Sequence, residues 1–214
     1  GVGDLRLDLA DPASWPDLPP ASAAVFVAAV ARLGDCERDP ALAERINSIA
    51  PAKLAARLAG CGTFCLQLST DKVFDGTIPL RARGDTPCPL TAYGRQKAAA
   101  EQAVLQAGGA VLRLSKVLAP DLDLLQDWRR KLLAGEAVTP FHDLWLAPVT
   151  VGFVVDLIRR LLDERIAGIH HCSGREDRPY VALANALARA LGASANLVRP
   201  ISAGPTRDDR LTVM

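Results

Sequence analysis

No apolar run in this 214-residue chain reaches the roughly 18 residues that a membrane-crossing helix needs, and its opening residues carry no basic-then-apolar pattern. Charge of one sign is also lacking. With 25 basic against 24 acidic residues the net is +1, so no general electrostatic case exists for nucleic acid or an anionic membrane as partner. A disulfide framework is missing as well. Cys36, Cys61, Cys65, Cys88 and Cys172 are odd in number, scattered and mostly set in apolar segments, which predicts reduced thiols and a cytoplasmic protein. Cys61 and Cys65 have no second cluster to complete a zinc site, and adjacent His170, His171 and Cys172 alternate across a strand, so no metal is expected. There is no internal repeat and no low-complexity tract.

A phosphate-binding glycine turn is the absence that matters most. A dinucleotide-binding fold opens with a strand, a Gly-x-x-Gly-x-x-Gly-type turn and a helix whose amide end receives a pyrophosphate. Gly1-Val2-Gly3 leads instead into Leu5, Leu7 and Leu9, whose alternation predicts a strand over 5–9, and Gly60-Cys61-Gly62 precedes a strand rather than following one. Neither is a phosphate loop.

Strands and helices alternate along the rest, the signature of a parallel sheet covered on both faces. The length suits one domain with a small lobe. Apolar runs predict buried strands over 23–28, 63–69 and 110–114. Asp39 as cap and Pro40 in the first turn open a helix that runs to Gly60, with a kink expected at Pro51. Residues 77–89 form a long surface loop, and 91–107 a helix. Beyond Pro120 the spacing predicts helices over 122–133, 151–162 and 179–191, strands over 137–140, 168–172 and 196–199, and a polar, mobile tail over 202–214. Trp128 with Arg129, Arg130 and Lys131 reads as a solvated helix face.

Tyr93 and Lys97 stand four apart at the opening of the helix over 91–107, so phenol and ammonium share a face. An ammonium near a phenol favours the phenolate. It lowers a pKa that starts near ~10 and fits the tyrosine for proton transfer around neutral pH. Ser69 or Thr70, at the end of the strand over 63–69, can hold a carbonyl oxygen that takes this proton. The two hydroxyls face opposite sides if the strand persists, and the sequence does not choose between them.

The words around this pair carry a resemblance. Leu-Ser-Thr-Asp-Lys-Val-Phe-Asp-Gly over 68–76 and Thr-Ala-Tyr-Gly-Arg-Gln-Lys over 91–97 are similar to the extended short-chain dehydrogenase/reductase superfamily, most closely to its dTDP-4-dehydrorhamnose reductases. Looser matches follow in order at 5–11, 28–30, 35–37, Asn47, 112–115, Asp143 with 147–149, and 168–174. The resemblance implies an α/β fold, a Rossmann-like doubly wound parallel sheet truncated at its N-terminus, with a small C-terminal substrate-binding lobe. It assigns 1–120 to a partial NAD(P)-binding core, and 121–214 to a mixed segment of lobe and returning core elements. Because the match begins at what would be the third strand, the chain is expected to be a fragment lacking the first strand, helix and second strand. Activity of such a fragment is not assured.

The resemblance further implies hydride transfer between NADP or NAD and a keto carbon, with Tyr93 as general acid, Lys97 on the nicotinamide ribose, and Thr70 or Ser69 orienting the carbonyl. Ala28 and Ala29 match positions beside the cofactor, and Ser115 with Val117 the segment flanking the nicotinamide. Asp71, Lys72, Lys116 and Asp143 fall at substrate positions. Lys72 and Lys116 replace family aromatics, and Leu144 a glutamine, which implies an altered pocket for a nucleotide sugar. The implied setting is dTDP-rhamnose and cell-surface polysaccharide biosynthesis, and a homodimer is admissible. The reading favoured is an NAD(P)H-dependent reductase of a nucleotide-activated 4-keto-6-deoxy sugar. A nucleotide-sugar epimerase or dehydratase stays open, as does a non-catalytic subunit like the relative that associates with methionine adenosyltransferase.

Overall fold

A computed structural model describes residues 4–204. Gly1-Val2-Gly3 and the tail from 205 onward lie outside the described residues. The chain opens its regular structure with β1 (Ala23–Phe26), α1 (Leu33–Arg38) and α2 (Pro40–Glu44). The Asp39 side chain accepts from the Leu42 N–H at 3.0 Å, the cap expected of it. A wide π-type turn, Arg45–Ile49, leads into α3 (Ala50–Ala59). It closes with the Ala50 N–H on the Arg45 carbonyl. The irregularity expected at Pro51 therefore lies one turn earlier, where the missing proline N–H leaves the ladder free to widen. Next come β2 (Phe64–Thr70), a 3-10 turn (Asp71–Val73), α4 (Ala92–Gln106), β3 (Ala110–Leu114), β4 (Val117–Leu118) and α5 (Asp123–Leu133). The chain then forms β5 (Trp145–Leu146), β6 (Val149–Thr150), α6 (Val151–Asp163), β7 (Gly168–Cys172), β8 (Arg178–Pro179) and α7 (Tyr180–Ala190).

These elements divide between two compact units interleaved along the chain. The first holds the described parts of Gly1–Asp75, Arg83–Arg113 and Leu157–His171. Its centre is a parallel sheet in the order β1-β2-β3-β7, the Rossmann-like arrangement expected. Val25 stands opposite Leu66 in the register of β1 and β2. Leu66, Val111 and Leu112 are fully buried, as strands covered on both faces require. On one face Leu54 and Leu58 of α3 and Val104 of α4 pack on Cys65. Beside the outer strand β1 runs an apolar groove of about 460 Å³, lined by Leu7, Leu9, Leu18, Val25, Leu54 and Ala28 among others.

The expected strand over 5–9 is not formed. Asp8 turns the chain instead: its carboxylate accepts from the Ala10 N–H at 2.8 Å and its carbonyl from the Trp15 indole at 2.6 Å, while Leu7 and Leu9 face the groove. Local side-chain hydrogen bonding has outweighed the alternating pattern.

The second unit holds Gly76–Ala82, Leu114–Asp156 and the described part of Cys172–Met214. Two short ladders shape it, β4 with β6 in parallel and β5 with β8 antiparallel. Its core joins Trp128 and Leu132 of α5 to Ala184 and Ala188 of α7. Trp128 is thus a core residue, while Arg130 and Lys131 pair with Asp127 on the outer face. The strands expected over 137–140 and 196–199 shrink to single parallel bridges, Val138 with Val198 and Phe141 with Ile201, because a 3-10 turn (Ala195–Leu197) interrupts the second. No helix among the described residues is long and apolar enough to cross a membrane.

Candidate active site

Alternation along β2 puts Cys65, Gln67 and Ser69 on one face of the strand. Ser69 ends this row buried, with its hydroxyl donating to Glu101 Oε1 at 2.5 Å. Thr70 is turned the other way. Its hydroxyl donates to Asp71 Oδ1 at 2.9 Å and accepts from the Lys72 N–H at 3.2 Å, tying the strand end to the 3-10 turn. The two candidate hydroxyls thus serve different neighbours, Ser69 the helix α4 and Thr70 the turn. Burial pushes the Asp71 carboxyl above the usual carboxylate range, against the pull of Lys72 and Thr70.

The first turn of α4 is fastened to this turn. Thr91 caps it by accepting from the Gly94 N–H at 3.1 Å, and the Ala92 N–H donates to Glu37 Oε1 at 2.8 Å. Gly94 is required by proximity: a Cβ there would stand 2.1 Å from the Lys72 carbonyl oxygen and 2.9 Å from Pro89 Cβ. Gly94→Ala is expected to push α4 off the turn and lower stability by about 1–3 kcal/mol, read from urea melts.

Tyr93 is half-buried and packs against a small cluster of Cys36, Ala43, Ala92 and Val30. Its phenol is pushed up to about 12 by burial first, then by the charges of Asp71 and Cys36. This corrects the expectation that Lys97 would draw it down. The aspartate and the thiol belong to other elements, and with burial they set the direction. Lys97, one turn along, is only 3% exposed. Its ammonium is lowered to about 8 by burial, partly offset by Glu101.

Among the described residues Lys97 has no hydrogen-bond or ion-pair partner. A buried cation in that condition costs stability. Because its folded pKa lies below its usual value, the unfolded chain binds the extra proton between about pH 8 and 10.5, so stability rises with pH across that window. Lys97→Met is expected to stabilise the protein by about 2–3 kcal/mol below pH 8, the difference fading toward pH 10.5. Urea melts of both proteins at stepped pH check this.

Behind this pair lies a buried ion pair that the sequence reading did not single out. Arg113 Nε reaches both Glu101 oxygens at 3.1 Å and Nη2 reaches Oε2 at 2.7 Å. The guanidinium sits 5.0 Å over the Phe74 ring and meets His171 Nε2 at 3.3 Å. Asn47, in the wide turn, is likewise fully buried. Its amide accepts from the Val30 N–H at 2.8 Å and donates to the Val30 carbonyl at 3.0 Å and to Gln96 Oε1 at 2.8 Å. That clamp joins α4 to the segment carrying Ala28 and Ala29. Ala28 is exposed and lines the apolar groove, and Ala29 is half-buried.

The remaining candidates belong to the second unit. The Ser115 N–H donates to the Cys172 carbonyl at 3.1 Å and its hydroxyl to the Ala147 carbonyl. The Lys116 carbonyl accepts from the Val149 N–H at 3.0 Å, and Val117 lies in β4. Asp143 accepts from the Ser202 hydroxyl and from the Ala203 N–H at 2.8 Å, and these bonds hold its carboxyl below the usual range.

Comparison with known proteins agrees with this architecture. Residues 4–210 match the RmlD substrate binding domain family. Methionine adenosyltransferase 2 subunit beta of Xenopus laevis is 33% identical over 194 residues, which cover 85% of this chain and 58% of that protein. The dTDP-4-keto-6-deoxy-D-glucose reductase of Streptomyces niveus is 30% identical over 182 residues, covering 83% and 63%. This chain therefore spans about three-fifths of the length of these relatives. Among solved structures, the dTDP-4-dehydrorhamnose reductase of Bacillus anthracis in complex with NADP superposes with a TM-score of 0.81 at 22% identity, over 90% of this chain and 70% of that one.

Proposed function

The chain belongs to the RmlD substrate binding domain family, and on that footing we propose that it carries the reacting centre of an NAD(P)H-dependent reductase of a nucleotide-activated 4-keto-6-deoxy sugar. The observation that carries the reading is Lys97: a buried ammonium without a hydrogen-bond partner among the described residues, one turn from a half-buried phenol. Its donors fit a ribose hydroxyl of the cofactor, which would repay the cost of holding the charge there. The fit concerns the reacting end, since the described residues hold no glycine-rich strand-turn-helix for a pyrophosphate.

A reduced nicotinamide, when bound, supplies the hydride for the keto carbon. Tyr93 then gives its phenolic proton to the carbonyl oxygen as negative charge gathers there, and regains a proton from solvent. A phenol pushed up to about 12 stays protonated at neutral pH, the form an acid must hold to serve reduction. An alkoxide is more basic than a phenolate, so the transfer runs downhill. Thr70 is assigned to the carbonyl, which requires its hydroxyl to turn its one proton from Asp71 to the substrate oxygen. Lys72, Lys116 and Asp143 are assigned to the sugar nucleotide.

The test is net oxidation of NADPH or NADH by the purified protein with a dTDP-4-keto-6-deoxy sugar. Consumption in step with alcohol formation supports a reductase. Sugar conversion without net consumption would instead identify an epimerase or dehydratase. A second reading, a non-catalytic binding subunit, draws on the 33% identity with methionine adenosyltransferase 2 subunit beta. It predicts nucleotide binding with no turnover at all.

A further inference from the structure

We propose that Glu101 is a positioning residue of this centre: clamped by Arg113 and Ser69, its carboxylate presents a fixed negative charge to the Lys97 ammonium one helical turn away. The inference rests on the catalytic reading above only for its consequence in turnover. Glu101 is 2% exposed and Arg113 1% exposed, so neither is a surface charge screened by water. Both carboxylate oxygens are occupied, Oε1 by Ser69 Oγ and Arg113 Nε, and Oε2 by Arg113 Nε and Nη2. Arg113 is itself held, over the Phe74 ring and against His171. A carboxylate gripped from two sides cannot swing to follow a mobile partner, so its field at the next turn of α4 has a fixed direction.

Lys97 and Glu101 share a face of α4 at i and i+4, both buried. The other charged or titratable groups around that part of α4 include Tyr93 and Arg95 on the helix itself, and Asp71, Lys72, Cys36, Glu37, Arg113 and His171 from the elements packed near it. Asp71 acts on Tyr93, Glu37 is spent on the Ala92 N–H, and Arg113 faces the carboxylate. Glu101 is the negative charge that acts on Lys97, opposing the effect of burial. Ser69 acquires a role that sequence alternation could not give it. It orients Glu101 rather than a substrate carbonyl, which leaves Thr70 to the substrate.

The experiment titrates Lys97 directly in the full chain, by the pH dependence of its acylation with acetic anhydride, read by peptide mass spectrometry. The wild-type midpoint should fall near 8. In Glu101→Gln it should fall by about one pH unit or more, a tenfold rise in neutral amine at a given lower pH, and Glu101→Asp should restore much of it. Since Glu101→Gln strands the Arg113 charge, the paired variant Glu101→Gln/Arg113→Met serves where the single one does not fold, with a smaller drop expected because the opposing Arg113 charge is removed as well. An unchanged midpoint in either folded variant overturns the proposal. Where turnover is measurable, Glu101→Gln should lower kcat at least tenfold at pH 7 and leave the KM for the sugar within about twofold. A shifted midpoint in a protein with no reductase turnover would sink the catalytic reading while upholding the role of Glu101.

Discussion

Tyr93→Phe is expected to cut reductive turnover by at least ~100-fold, about 2.7 kcal/mol in the barrier, while leaving the fold and nicotinamide binding intact. The substitution removes one oxygen. The ring contacts with Cys36, Ala43, Ala92 and Val30 remain available to phenylalanine, and the cap at Thr91, the Glu37 contact and the close approach at Gly94 do not involve the phenol. What is lost is the proton delivered as the oxyanion forms, so kcat should fall without a matching rise in the cofactor dissociation constant. The pH profile sharpens the claim. With the phenol up at about 12 and the ammonium near 8, an alkaline decline of wild-type turnover near pH 8 belongs to Lys97, and Tyr93 stays protonated throughout that range. Stopped-flow turnover with cofactor titration by fluorescence separates the effects. Unaltered kcat in Tyr93→Phe removes the phenol from the chemistry.

What could be read before the structure divides by range along the chain. β3 falls on the predicted residues, and β2 and α4 within one residue at each end, because an unbroken apolar run or a helical stretch, like the Asp39 cap of α2, is written within a few neighbouring positions. The segment 5–9 fails for the opposite reason. An alternating pattern makes a strand only beside a partner, and Asp8 and Trp15 offered the backbone nearer bonds. α1 left no trace because six residues with one buried side chain, Cys36, show no period. The site follows the same rule. Tyr93 and Lys97 were legible as an i, i+4 pair on one helix. The direction of the Tyr93 pKa was not, since Asp71 and Cys36 come from a turn and a helix that only tertiary packing brings near. Glu101 and Arg113 lie twelve apart on a helix and the strand after it, and no spacing announces that their charges meet.

Arg113→Met is expected to destabilise the protein by about 3–5 kcal/mol, lowering Tm by on the order of 10 °C, the largest stability loss among these variants. Methionine fills much the same volume along Phe74, so the loss is electrostatic rather than a cavity. Without the guanidinium, Glu101 keeps the Ser69 hydroxyl as its only hydrogen-bond donor among those described, and must carry a buried charge or take up a proton. Taking up a proton has a signature: the deficit should shrink as pH falls toward the range where a buried carboxyl is neutral, since the folded variant then binds a proton that the unfolded chain does not. Replacing both partners, as Glu101→Gln/Arg113→Met, should recover more than half of the lost stability, because a buried pair costs nearly as much to desolvate as its attraction returns. That recovery would show that the ion pair is dispensable for folding. The pair, which joins α4 to β3 and takes the Ser69 hydroxyl at the end of β2, would then serve the proposed centre rather than folding. A single variant within ~1 kcal/mol of wild type, or a double variant no better than the single one, would mean that Arg113 holds the fold by packing alone and that the charge on Glu101 is neutralised by some other group.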